Sequence, residues 1–139
     1  MENTGLEIDG KGYLLLIRNI TWDQGMTPEE LQNVLSKFSA WVEGMSKSGK
    51  LIDAHPLAQE GKVVSGSRGK VVADGPFAES KEAVGGYFAL DVETEEEAVE
   101  IAQACPALDY GVTLEVRRIA TCCPCHQRLA SANLAAAAV

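Results

Sequence analysis

The chain has 139 residues, of which 46% are hydrophobic and 23% charged, a composition typical of one soluble globular domain. Its formal net charge of −8 leaves little basic surface for phosphate groups, so we predict no nucleic-acid partner. The N-terminus is too polar for a signal peptide and no apolar run approaches the ~18 residues of a membrane span, so we predict a cytoplasmic protein without membrane contact.

The first half of the chain has the pattern of a strand, a helix and a second strand. The apolar run at 13–20 predicts the first strand. Residues 27–30, Thr-Pro-Glu-Glu, form a capping box with proline at the first helical position. Apolar residues at helical spacing follow, and Gly49 ends the helix. The second strand covers 51–55 and stops at Pro56.

The second half repeats this plan. The strand predicted at 86–92 leads into a second capping box at 94–97. The helix that follows has an apolar stripe and ends at Pro106. The last strand, 112–119, alternates between apolar and polar residues.

Two such units predict an α+β fold, a ferredoxin-like βαββαβ sandwich, with a β-hairpin inserted at 62–65 and 70–73. Two helices can cover only one face of the sheet. The apolar run of the first strand supplies apolar groups to both faces, so we predict a homodimer. We divide the chain into an N-terminal segment (1–11), this domain (12–119) and a Cys/Ala-rich C-terminal tail (120–139). The uncovered face is predicted to carry Tyr87, Ala89, Thr113, Glu115 and Arg117.

Residues 74–90 are the most distinctive part of the sequence. Asp74-Gly75-Pro76 is a turn in which the proline keeps Gly75 extended. The run DGPFAE at 74–79, with Lys-Glu at 81–82, Gly-Gly at 85–86 and Glu-Val-Arg at 115–117, resembles the DGPF or YCII-related family over residues 12–119. The resemblance implies sheet-to-sheet dimerisation into an α+β barrel, and a pocket between the sheet and the surrounding loops. It also makes a sigma factor or another regulator a candidate partner.

Asp74 and His55 are the candidate catalytic residues. A carboxylate held at the turn, near a partly apolar sheet face, can act as general acid or base, or Asp74 only caps the turn. Leu51, Asp53 and His55 share a strand face by their period of two, so Asp53 can orient the His55 imidazole. Such residues are ~7 Å apart, which is long for a direct bond, and His55 also suits an exposed strand end.

Three further residues are candidates for holding a substrate. Arg117 and Glu115 share one face of the last strand, where they can bind a polar ligand or form an ion pair. Tyr87 follows Gly85 and Gly86, whose missing side chains let another group approach the backbone. It therefore either lines a pocket or has a structural role.

The cysteines have two kinds of environment. Cys105 lies on the apolar stripe of the second helix and is predicted to belong to the core. The sequence Cys-Cys-Pro-Cys-His at 122–126 contains soft ligands suited to zinc or copper(I), yet no second cluster completes a tetrahedral site. We therefore assign no metal and interpret the segment as an oxidisable tail, with metal bridging across a dimer as the alternative.

Two functions are compatible with these residues. The first is a small cofactor-independent enzyme acting on a small organic ligand, with Asp74 as acid or base, His55 assisting and Arg117 holding a polar group. The second is a non-catalytic ligand-sensing or partner-binding dimer linked to sigma-factor regulation. The fold does not choose between them, because this sandwich supports many unrelated activities.

Overall fold

The computed structural model describes residues 11–76, 83–121 and 123–137. Predictions for residues 1–10, 77–79, 81–82 and Cys122 therefore lie outside the described residues. No helix of the described part is long and apolar enough to cross a membrane. The bounds of the strands and helices are β1 Tyr13–Arg18, α1 Pro28–Lys47, β2 Leu51–Pro56, β3 Lys62–Ser65, β4 Val71–Asp74, β5 Val84–Leu90, α2 Glu95–Gln103, β6 Thr113–Arg118 and α3 Pro124–Ala137.

Four strands form an antiparallel sheet in the order β2-β5-β1-β6. With α1 after β1 and α2 after β5, this is the ferredoxin-like βαββαβ topology that the sequence predicts. The inserted hairpin is also confirmed, because β3 and β4 pair with each other in a separate two-stranded sheet. The predicted α+β fold class is therefore correct.

Both predicted helix starts are confirmed by capping bonds. The backbone N–H of Glu30 donates to Thr27 Oγ1 at 3.1 Å, and that of Glu97 donates to Thr94 Oγ1 at 3.2 Å. Each bond satisfies one of the N–H groups that the first helical turn leaves without a partner. In the tail, α3 has fourteen residues.

The core lies between one face of the sheet and the helices α1 and α2. Leu15 of β1 and Leu90 of β5 have no exposed surface, and Phe88 packs edge-on against Trp41 of α1. The Trp41 indole donates to the carbonyl of Ile101 in α2 at 3.0 Å, which ties the two helices together. Cys105 is buried beside this core, as predicted.

Two bulges change which side chains share a face. In β2, the register moves from Leu51 opposite Leu90 to Asp53 opposite Ala89, so Ile52 is the extra residue. Leu51 consequently packs against the core, whereas Asp53 is on the other face with His55. The expectation that all three share a face by simple alternation is wrong, because the bulge adds one residue between the first two.

The second bulge lies in β5, where Ile17 is opposite Gly86 and Arg18 is opposite Val84, leaving Gly85 as the extra residue. A Cβ atom on Gly86 would lie 2.9 Å from the carbonyl oxygen of His55 and 3.3 Å from Pro56 Cα. These are backbone atoms of the neighbouring strand, so they cannot rotate away. The absence of a side chain at Gly86 therefore keeps β2 and β5 at their pairing distance.

We expect Gly86→Ala to lower the free energy of unfolding by roughly 1–3 kcal/mol, because the new methyl group pushes β2 away from β5. Gly44→Ala is the matched control, since a Cβ there meets nothing within 4 Å on the helix α1. That change should raise stability by up to about 1 kcal/mol, since alanine favours helix over glycine. Urea denaturation of both variants measures the difference, and equal stabilities would contradict the packing role of Gly86.

Candidate functional site

The sheet face that α1 and α2 leave uncovered carries four of the five predicted site residues. We call it the open face. The cross-strand pairing places His55, Tyr87, Leu16 and Glu115 in one row across the four strands. The adjacent row contains Asp53, Ala89, Leu14 and Arg117. Polar groups therefore lie at both edges of this face, and leucines lie at its centre.

Asp53 bonds the side chains of both His55 and Tyr87. Its Oδ1 lies 3.0 Å from His55 Nε2, and the Tyr87 hydroxyl donates to its Oδ2 at 3.1 Å. The imidazole and phenol ring centres are 5.7 Å apart. One carboxylate thus uses a separate oxygen for each ring, and we call these three residues the Asp53–His55–Tyr87 cluster.

The direct bond between Asp53 and His55 differs from what strand spacing alone indicates. Residues two apart on a strand are separated by ~7 Å, which argues against contact. Here the two side chains lean toward each other and close that gap, because β2 is an edge strand of the sheet and both side chains are largely exposed.

This arrangement leaves His55 with one nitrogen suited to proton transfer. In the neutral imidazole, the nitrogen that faces the carboxylate carries the hydrogen and the other nitrogen accepts. With Nε2 directed at Asp53, Nδ1 is the accepting nitrogen. Chemically, the pair has the parts of a general base.

Tyr87 is the proton donor within the cluster. Desolvation, followed by its hydrogen bond and charge interaction with Asp53, raises the pKa of the Tyr87 phenol above its ordinary value of 10.0. The phenol therefore stays protonated at neutral pH and keeps its O–H directed at the carboxylate. A protonated Tyr87 fixes the position of Asp53, and through it the orientation of His55.

A second polar group lies on the other side of the open face. Arg117 Nη1 is 3.0 Å from Glu115 Oε2, and Arg18 forms an ion pair with Glu115 Oε1. The hydrogen bond from Arg117 is the main cause of the lowered pKa of the Glu115 carboxyl, with a further contribution from the charge of Arg18. Arg117 remains 68% exposed, so most of its five N–H donors face solvent.

Asp74 lies elsewhere. It ends β4 on the inserted hairpin, where its carboxylate pairs with Lys62 and is 87% exposed. The groove beside it is lined by residues 59–62 and 74–76, with none of the open-face candidates among its described lining. The structure therefore does not bring Asp74 together with His55, and its acid–base role stays a prediction.

The tail contributes thiols of a different character from the core cysteine. Backbone N–H groups of Cys125 and His126 lower the pKa of the Cys123 thiol, whereas burial raises the pKa of the Cys105 thiol. The Arg128 guanidinium donates to Cys125 Sγ at 3.1 Å. In the part of the chain that the structure describes, no three His, Cys, Asp or Glu side chains are grouped as metal ligands.

Two functional contacts were missed by sequence reasoning. One is the bond from Tyr87 to Asp53, and the other is the pairing of Arg18 with Glu115. Both join residues far apart in the chain, so they depend on strand register. The available signals were the arginine at the end of an apolar strand and the tyrosine after the Gly-Gly pair.

We expect Asp53→Asn to lower the pKa of Tyr87, because the neutral amide removes the charge that opposes ionisation of the phenol. The folded state holds this proton more tightly than the unfolded chain. The contribution of this proton to the stability of the folded state is thus complete below about pH 10, and it is lost as the pH rises through the pKa of Tyr87 in the folded protein. Titration of tyrosinate absorbance measures the shift, and Tyr87→Phe assigns it. Asp74→Asn is the matched control, and an equal shift of the Tyr87 pKa in that variant would contradict the contact between Asp53 and Tyr87.

Comparison with protein-family models gives a match. The YCII-related domain model matches residues 12–121, which covers the sheet, both core helices and the open face. No curated protein matches the chain. The match extends over most of the 139 residues, and it agrees with the ferredoxin-like topology and with the resemblance of the Asp-Gly-Pro-Phe segment. The chain therefore belongs to the YCII-related domain family.

Proposed function

We propose that the protein is a small cofactor-independent enzyme that removes a proton from a small organic ligand, with His55 as the general base. The observation that carries this proposal is the pair of contacts that Asp53 makes: one carboxylate oxygen contacts His55, and the other accepts a hydrogen bond from Tyr87. In the reaction, His55 Nδ1 takes a proton from an activated C–H bond, and the electron pair left on carbon is delocalised into the adjacent carbonyl. The imidazolium then returns the proton to the same or a neighbouring atom.

His55 is a better candidate for this role than Asp74. A general base gains from a second group that holds its tautomer and orientation, and Asp53 supplies that group to His55. Asp74 instead pairs with Lys62 in nearly full contact with solvent. That pairing suits the alternative role of Asp74, which is to stabilise the hairpin end.

Substrate binding by Arg117 requires a second copy of the chain. Within one chain, His55 on β2 and Glu115 on β6 lie at opposite ends of one row, three strand spacings or ~14 Å apart. Arg117 is on the same strand as Glu115 and is therefore also remote from His55. A small ligand cannot contact both sides of the open face at that distance. A partner related by a twofold axis parallel to the strands places its β6 over β2, so Arg117 of the partner subunit faces the Asp53–His55–Tyr87 cluster.

Charge favours this arrangement of the homodimer. The β6 side of the open face carries one net positive charge, because two arginines, Arg18 and Arg117, share the single carboxylate of Glu115. Asp53 makes the β2 side negative when His55 is neutral. A twofold axis parallel to the strands pairs these opposite charges twice, whereas a perpendicular axis places like charges together. Leu14 and Leu16 supply the apolar centre of the contact.

We expect wild-type protein to sediment as a dimer and Leu16→Asp to shift it toward monomer, because two carboxylates would be buried at the centre of the contact. Leu129→Asp is the matched control, since Leu129 is 60% exposed on α3. Analytical ultracentrifugation over a concentration series measures the equilibrium. A monomeric wild type, or equal dissociation of both variants, would contradict the proposed interface.

Proton abstraction is tested by deuterium exchange. Small carbonyl carbon acids, beginning with pyruvate and acetoacetate, are incubated in heavy water and followed by proton NMR. For the compound that the wild-type protein exchanges fastest, we expect His55→Gln to slow the exchange by roughly 10²–10⁴-fold. Asp53→Asn should slow the exchange of that compound less. His126→Gln is the matched control, because these are the two histidines of the chain.

Each other outcome decides among the candidates. Loss of exchange in Asp74→Asn but not in His55→Gln would transfer the chemistry to Asp74. Probe binding without any enzyme-dependent exchange would favour the alternative, a ligand-sensing or partner-binding dimer linked to sigma-factor regulation. Exchange that is unchanged in both His55→Gln and Asp53→Asn would overturn the proposal.

A further inference from the structure

A cleft runs between α1 and the helix-covered side of the sheet, on the face opposite the Asp53–His55–Tyr87 cluster. It consists of two lobes of about 310 Å³ and 300 Å³. Ile17, Phe38 and Gly85 line both lobes, so the lobes adjoin. We call the pair the α1 cleft.

The cleft exists because the sheet offers little side-chain volume beneath the first half of α1. Gly85 and Gly86 have no side chains, and the methyl end of Ile20 already occupies the space beside Gly85. On the rim, Leu35 is 45% exposed and Leu57 is 47% exposed. These leucines border the opening without closing it.

The chemistry of the lining restricts what the α1 cleft can hold. Trp22 and Phe38 supply aromatic surface, and most of the other lining residues are aliphatic. The polar residues among the described lining are Asp23, Gln59 and His55, with no lysine or arginine among them. Among these described residues, a carboxylate, sulfonate or phosphate ligand meets the charge of Asp23 and no lysine or arginine, whereas a neutral or cationic ligand avoids this repulsion.

We propose that the α1 cleft binds a neutral or cationic, ring-bearing apolar small molecule, on the face of the sheet opposite the open face, with His55 of β2 bordering one lobe. Each lobe lies at the small end of the roughly 300–1,000 Å³ range of ligand pockets. Each is also larger than an apolar cavity of about 150 Å³ that binds benzene. One lobe accommodates a single ring system, and the two together accommodate a pair of linked rings.

The test uses two fluorescent probes with the same aromatic body. N-phenylnaphthylamine is neutral, and anilinonaphthalene sulfonate adds one negative charge. We expect saturable one-to-one binding of the neutral probe, with the sulfonate at least about tenfold weaker. Asp23→Asn should reduce the difference in affinity between the two probes, because it removes the negative charge that repels the sulfonate at the cleft.

The site is located with a filling variant and its matched control. Leu35→Trp adds a ring at the cleft rim and should weaken binding of the neutral probe by about tenfold or more. Leu129→Trp adds the same ring on the exposed surface of α3 and should leave binding within about twofold. If Leu35→Trp fails to fold, the Asp23→Asn comparison still tests the charge requirement.

Equal affinity for both probes in the wild type, or equal binding by the two tryptophan variants, would overturn the proposal. Asp53→Asn distinguishes this site from the proton-transfer site, because it alters the open face and should leave binding of the neutral probe unchanged. Loss of probe binding in Asp53→Asn would therefore contradict the separation of the two sites. The probe-binding result does not depend on whether the protein catalyses deuterium exchange.

Discussion

The alternation of side chains along β1 is the constraint on which the rest of the structure depends. β1 lies inside the sheet, between β5 and β6, so both its faces must be accommodated. Tyr13 and Leu15 enter the core, while Leu14 and Leu16 emerge on the open face. A central strand that is apolar on both sides produces a sheet with one helix-covered face and one face that is apolar at its centre. The core and the proposed dimer contact both follow from it.

The two bulges then determine what each face can do. The extra residue in β2 keeps Leu51 in the core and directs Asp53 to the open face, where it meets His55 and Tyr87. Without that residue, Leu51 would lie on the same face as Asp53 and His55 instead of in the core. The extra residue in β5 is Gly85, which borders the α1 cleft. The β2 bulge thus keeps Leu51 off the open face, and the β5 bulge contributes to the α1 cleft.

β5 serves both faces of the sheet. Tyr87 contributes to the open face, and its glycine neighbours leave space on the helix-covered face. The proposed proton-transfer site and the proposed apolar cleft therefore lie on opposite faces of the sheet, and His55 borders both. Asp74, in contrast, lies on the hairpin with Lys62. The Asp-Gly-Pro turn of the segment that identifies the family thus lies outside the Asp53–His55–Tyr87 cluster, to which the same segment contributes Tyr87.

The sequence by itself determined the fold class, both helix starts, the inserted hairpin and the residues of the uncovered face. These features depend on local signals, namely capping boxes at Thr27 and Thr94 and the period-two alternation of β6. It also named Asp53 as a partner for His55. Only the tertiary structure decided that the two bond directly, that Tyr87 shares the carboxylate, and that Arg18 joins Glu115. The physical reason is register: the pairing of β2 with β5 places Tyr87 beside Asp53 and His55, and the pairing of β1 with β6 places Arg18 near Glu115. No local pattern in the sequence records which residues of two strands lie opposite each other.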